Sequence, residues 1–198
     1  MIDLSDEMVP NGFSEQLIDF GFWQEPSSGA AETRVNRPGS RMQVTLTFPP
    51  MRQETALRVL PRLKRAIREG LRVQWPLIEV SQGLPGAPVV DGIVGAGTSL
   101  PVRGLTPGYV AKAGYVFHIE EAATGVRCWH EVQTTVVADA AGEAVFDIEP
   151  PLRVPFADGD PIELARPTIE GRLLEAPGSD LNVNRLRYPS TLTIRETE

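Results

Sequence analysis

At 198 residues the chain is long enough to bury a sizeable core as one domain, or as one domain with a small insertion. Hydrophobic content of 41% and charged content of 23% are those of a folded globular protein and exclude wholesale disorder, while 18 glycines and 18 prolines favour many short strands over long helices. A formal net charge of -7 disfavours nucleic acid as a partner, and the single cysteine, Cys128, excludes an internal disulfide and any multi-cysteine zinc site.

The opening MIDLSDEMVP has no basic segment followed by an apolar run, so no secretory signal is expected. No stretch reaches the roughly 18 apolar residues that span a bilayer, so a membrane is not an expected partner. Residues 1–40 read as an extended N-terminal arm with a short strand at Gln16 to Trp23. Phe13, Phe20, Phe22 and Trp23 stand in this otherwise polar arm, and such rings need burial by either the parent domain or a neighbouring subunit.

Residues 41–177 read as a β-rich domain. Arg41 to Phe48 alternates strictly, with Met42, Val44, Leu46 and Phe48 on one face, and Pro49-Pro50 stops the strand. From Arg52 to Leu71 the period lengthens: Ala56, Leu60, Leu63 and Ile67 form one apolar stripe of a helix spanning about 53–69. Pro61 either kinks that helix or marks its true first turn, and Gly70 closes it. Val73 to Val80 resumes as a strand restricted by Pro76, which completes a β-α-β unit. Arg58, Arg62, Lys64, Arg65 and Arg68 give the helix a local basic face that meets water, an acidic partner or, less in keeping with the net charge, nucleic acid.

Ser81 to Gly108 is dense in glycine and proline, with room for two brief strands around Asp91-Gly92; Gly92, Gly95 and Gly97 are turn glycines without a phosphate-loop ending. Strands follow at Tyr115 to Glu121, Arg127 to Ala138 and Ala144 to Ile148, joined by turns at Gly125 and Asp139 to Gly142. Asp158-Gly159-Asp160 is a further turn, Pro161 to Ala165 and Thr168 to Leu174 are late strands, and residues 178–198 form a C-terminal segment with a final strand at Arg187 to Arg195. The fold class is mainly β (α+β): an antiparallel β-sandwich or barrel with one β-α-β helix and the arm.

Chemistry-bearing residues are sparse. His118, Cys128 and His130 lie on consecutive strands, so a three-ligand zinc or copper site is conceivable, as is a Cys128–His130 nucleophile pair; the plainer reading is half-buried strand histidines and a core thiol. Glu120-Glu121, Glu143 with Asp147, and Asp158 with Asp160 are candidate acid pairs or, for the last, a calcium loop, against the plainer reading of solvated turns. Trp23, Trp75 and Trp129 are candidate stacking platforms of a carbohydrate- or receptor-binding module.

Ala113-Gly114-Tyr115, then Val136 to Ala144 (VVADAAGEA), Ile148 to Arg153 (IEPPLR), Ala157 to Asp160 (ADGD) and the strand Pro167 to Leu173 follow in an order that resembles the minor tail proteins of long-tailed bacteriophages and prophages, close to the distal tail protein. The β-α-β unit from Arg37 to Val80 is similar to the one that precedes this sheet in that family. The resemblance implies a non-enzymatic structural protein of the virion tail tip, made in the host cytoplasm and carrying no cofactor. It would form a ring of copies of itself, commonly hexameric, that joins the tail tube protein to the tail hub or other tail-tip proteins. A tail terminator or another minor tail protein is the alternative within that class. Phe13, Phe20, Phe22, Trp23, Arg58, Arg62, Arg65 and Arg68 are the candidate inter-subunit contacts.

Overall fold

A computed structural model describes residues 1–197 except positions 26, 28, 30, 36, 38 and 183; the parts of the expected arm and C-terminal segment at those positions lie outside the described residues. The protein is mainly β, with sheets that are antiparallel apart from the pairing of Ile2–Asp3 with Leu71–Arg72, and with one helix among the described residues. The first six-stranded sheet runs, edge to edge, Ile2–Asp3, Leu71–Gln74, Thr168–Leu173, Leu192–Arg195, Arg41–Thr47 and Gly12–Ile18. The second runs Ile162–Glu163, Val116–Glu120, Arg127–Val132, Ala144–Leu152, Gly97–Leu105 and Gly86–Val90. Its two edge regions meet through a bridge between Val89 and Pro161, which brings it close to a barrel.

Alternation explains the strands. In Arg41–Thr47 the expected inward residues Met42, Val44 and Leu46 are buried and their neighbours face outward. The helix Gln53–Glu69 covers the first sheet, but with a different stripe from the one read in the sequence: Ala56, Val59, Leu63 and Ala66 are buried, Leu60 is partly buried and Ile67 is 39% exposed. Both stripes have helical spacing, and the contact with the sheet selects the one with the smaller residues, which lets the helix lie close. Val59 and Leu63, fully buried, each contribute about 1.5–3 kcal/mol by leaving water. Pro61 lies in the helix interior on an exposed turn, where water can serve the carbonyl left without a donor. At Gly70, φ is 80° and the N–H bonds Ala66 O at 2.8 Å, ending the helix as expected.

The β-α-β unit is present in order, yet Arg41–Thr47 and Leu71–Gln74 run antiparallel with two strands between them. Those intervening strands come from the end of the chain. The boundary expected at residue 178 therefore does not separate the last strand: Leu192–Arg195 sits inside the first sheet, pairing with Arg41–Thr47 on one side and Thr168–Leu173 on the other. The arm is likewise built in over much of its length, since Ile2–Asp3 pairs with Leu71–Arg72, Leu4 and Met8 are buried, and Gly12–Ile18 pairs residue for residue with Arg41–Thr47. The expected strand from Gln16 to Trp23 divides into Gly12–Ile18 and Phe22–Gln24, the latter paired with Thr33–Val35 in a separate hairpin.

The second sheet is inserted between Leu71–Gln74 and Thr168–Leu173, which are direct neighbours in the first. Each sheet has its own apolar core, one around Val44, Leu46, Leu63 and Ile194, the other around Phe117, Phe146, Ile148 and Phe156. Trp129 and Val116, on strands of the second sheet, point into the core of the first and join the two. Glu196 ties the same junction, its carboxylate accepting the Met42 N–H and the Trp129 N–H, each at 2.8 Å.

Candidate functional site

The histidines and the thiol do not converge. His118 stands opposite Trp129, whereas Cys128 stands opposite Ile119 and His130 opposite Phe117, so strand alternation puts His118 on one face of the sheet and Cys128 and His130 on the other. Among the described residues no group of three His, Cys, Asp or Glu is placed to hold a metal ion. His118 accepts the Thr168 N–H at its Nδ1 (3.0 Å), and His130 is bonded through Nδ1 to Pro150 O (2.8 Å) with its ring centroid 5.8 Å from that of Phe117. Burial pushes the Cys128 thiol up to about 11, which keeps it protonated and a poor nucleophile at neutral pH.

The acids hold local structure. Glu120 pairs with Arg127, and Asp158 pairs with Arg103 and accepts the Gly92 N–H. Asp160 accepts the backbone N–H groups of Ala122 and Ala157. A cleft of about 320 Å³ opens where the two sheets meet, lined by residues including His118, Glu120, Arg127, Glu163, Arg166 and Thr168. Its arginines are engaged with acids of the same cleft, Arg127 with Glu120 and Arg166 with Asp6.

Of the candidate stacking platforms, Trp75 and Trp129 are 2% and 1% exposed and form a ring pair 4.8 Å apart in the core, so neither can meet a sugar; Trp23, 57% exposed, remains. The other candidate contacts fall into two groups at opposite sides of the first sheet. The helix packs toward the Ile2–Asp3 edge, and its arginines work largely within the chain: Arg58 and Arg62 both bind Glu7, Arg62 also donates to Asp3 O, and Arg65 pairs with Glu69, leaving Arg68 exposed in the last turn.

The aromatic residues lie at the opposite edge. Phe20, Phe22 and Trp23 are about half exposed, so the body of the protein does not bury them. Each carries an arginine over its ring: Arg41 over Phe20 at 5.7 Å, Arg37 over Phe22 at 5.2 Å and Arg34 over Trp23 at 5.5 Å. They follow Gly12–Ile18, whose outer side has no strand partner among the described residues. An open seven-residue edge ending in exposed rings is a surface suited to another chain.

Phe13 belongs to the other end of that edge. Its ring stacks on Trp75 at 5.2 Å beside a groove of about 250 Å³ lined by residues including Phe13, Trp75, Ile78, Val80, Glu15 and Glu131. Gln82 fixes the groove wall: its amide donates to Val116 O and accepts the Val116 N–H, both at 2.7 Å, while the Tyr109 hydroxyl donates to Gln82 O at 2.6 Å. The Glu15 carboxyl is raised above the usual range by partial burial, and that of Glu131 by burial and by the neighbouring Glu15 and Glu149 charges. No local pattern marks this groove, because it is assembled from Phe13, the Trp75–Val80 turn and Glu131, which are distant in the chain.

No model of a known protein family matches the chain, and no curated protein does. Among the described residues no helix is long and apolar enough to cross a membrane.

Proposed function

We propose that this chain is a structural subunit of a long-tailed bacteriophage tail tip, a ring-former that joins the tail tube to the hub or baseplate. The observation that carries the assembly part of this reading is the exposed, arginine-flanked aromatic cluster Phe20, Phe22 and Trp23 at the end of an unpaired sheet edge. Rings of that size, left half in water in a chain with two well-filled cores, are the usual anchors of a protein interface. The tail-tip part comes from the order of motifs between Ala113 and Leu174. No catalytic role is assigned to any residue in this reading.

Purified chain is mixed with the tail tube protein encoded beside it, and the products are weighed by mass photometry and imaged by negative stain. A closed ring, six-membered on the resemblance, capping the end of a tube is the expected result. Failure to bind the tube end, or a neighbourhood without tape-measure and hub genes, would overturn the reading.

A further inference from the structure

We infer that the hairpin formed by Phe22–Gln24 and Thr33–Val35 of one copy seats in the Phe13–Trp75 groove of a second copy of this chain. This rests on the ring reading and specifies the surface that joins neighbouring subunits.

The first argument is chemical fit. The groove is apolar at Phe13, Trp75, Ile78 and Val80 and carries the carboxylates of Glu15 and Glu131, which repel each other. The hairpin offers the complement on one face: the exposed Phe22 ring with the Arg37 guanidinium lying over it, alternation turning Trp23 and Arg34 to the other face. Apolar surface then meets apolar surface, and a cation reaches an acid pair that has no cationic partner of its own among the described residues. Arg34 already pairs with Asp19, which leaves Arg37 as the group to bridge Glu15 and Glu131.

The second argument is geometric. The groove flanks the Phe13 end of Gly12–Ile18, and the hairpin follows its Ile18 end, with five residues of extended strand, roughly 17 Å, between them. That strand is held along its whole length by Arg41–Thr47, so a chain cannot fold its own hairpin back into its own groove. Two different surfaces at opposite ends of one edge make a head-to-tail contact. Such a contact repeats, and it gives a ring where the rotation closes and a filament where it does not.

The test uses two full-length variants. The groove variant Glu15→Arg/Glu131→Arg carries Gln24→Cys on its intact hairpin, and the hairpin variant Phe22→Ala/Trp23→Ala carries Ser81→Cys beside its intact groove. Gln24 and Ser81 are exposed and Cys128 is buried, so a short bismaleimide joins only the introduced thiols. The mixture is expected to give a cross-linked heterodimer at least tenfold above the yield of dimer from either variant alone. A third protein, Glu131→Arg/Arg37→Glu, exchanges the charges across the contact and is expected to recover the self-association that Glu131→Arg alone loses. Equal cross-linking in the mixture and in the separate variants, or no recovery on exchanging the charges, overturns the proposal. The two readings fail separately: heterodimer formation by a chain that does not bind the tube end leaves the docking in place and removes the tail-tip role, whereas tube-capping rings without this cross-link do the reverse.

Discussion

Arg153 and Glu196 face each other with side chains 2% and 1% exposed, Nη1 lying 2.9 Å from Oε2 and Nη2 3.1 Å from Oε1. The same carboxylate takes backbone N–H groups from Met42 in the first sheet and Trp129 in the second, so one buried ion pair fastens the two layers together. Removing either partner strands a buried charge and is expected to cost about 3–5 kcal/mol. Urea unfolding of Arg153→Met, Glu196→Ala and the double variant is the check. The double variant should lose at least about 1 kcal/mol less than the sum, because the second deletion removes the charge that the first left unpaired.

Stability should fall on mild acidification. Burial holds His118 at about 3 and His130 at about 4, well below the ordinary value near 6.5. The unfolded chain takes up protons as the pH drops through 6.5 and the folded chain does not. The stability contributed by the two neutral rings is therefore whole above that pH and is lost progressively toward pH 4, by up to about 1.4 kcal/mol per pH unit for each histidine. Thermal melts across pH 7.5 to 5 should show this slope. His118→Asn/His130→Asn, which keeps a polar group near each Nδ1 position, should flatten it.

Gly171 is a position where the backbone of a neighbouring strand leaves no room. A Cβ there would lie 2.1 Å from Arg195 O, with Thr168–Leu173 and Leu192–Arg195 paired alongside. Gly171→Ala should destabilise by 2 kcal/mol or more, on the order of the larger core-overpacking penalties, and the shift in the denaturation midpoint measures it. Gly29→Ala, where nothing lies within 4 Å but φ is +68°, should cost only about 1 kcal/mol from backbone strain.

The three tryptophans should separate by solvent access. Trp23 is 57% exposed, whereas Trp75 and Trp129 are enclosed. Acrylamide should quench one component of the intrinsic fluorescence and spare the rest, and Trp23→Phe should abolish the accessible component. Trp23→Ala should cost no more than about 1 kcal/mol, the size of the exposed contact with Arg34 that it removes. Trp129→Ala should cost about 3–5 kcal/mol as a buried aromatic lost from the junction of two cores.

Much of the fold was legible along the chain. The period-two pattern at Met42, Val44 and Leu46 placed a strand and its inner face correctly, and Gly70 ended the helix where it was expected to. What could not be read was partnership. Nothing in Leu192–Arg195 shows that it will lie beside Arg41–Thr47, since the residues that decide it are some 150 positions away and alternation alone fits any neighbour. The helix stripe predicted by period lies one row away from the buried one for a related reason: Leu60 and Ile67 are the more hydrophobic choice, and only the sheet beneath selects Val59 and Ala66. For the candidate site, the exposed rings were visible as oddities in a polar segment, while the groove and the buried ion pair depend on side chains brought together by the second sheet's insertion.

That insertion has a consequence for synthesis. The strands Leu71–Gln74 and Thr168–Leu173 cannot pair until everything between them has been made, and Leu192–Arg195 must then slide between two strands already translated. The inserted sheet can close on itself while the N-terminal portion is still waiting for its partners. During synthesis the aromatic edge is thus held beside an incomplete sheet until Leu192–Arg195 emerges. Nascent chains stalled before Leu192 would carry the exposed rings without the scaffold that orients them, which ties aggregation to incomplete translation.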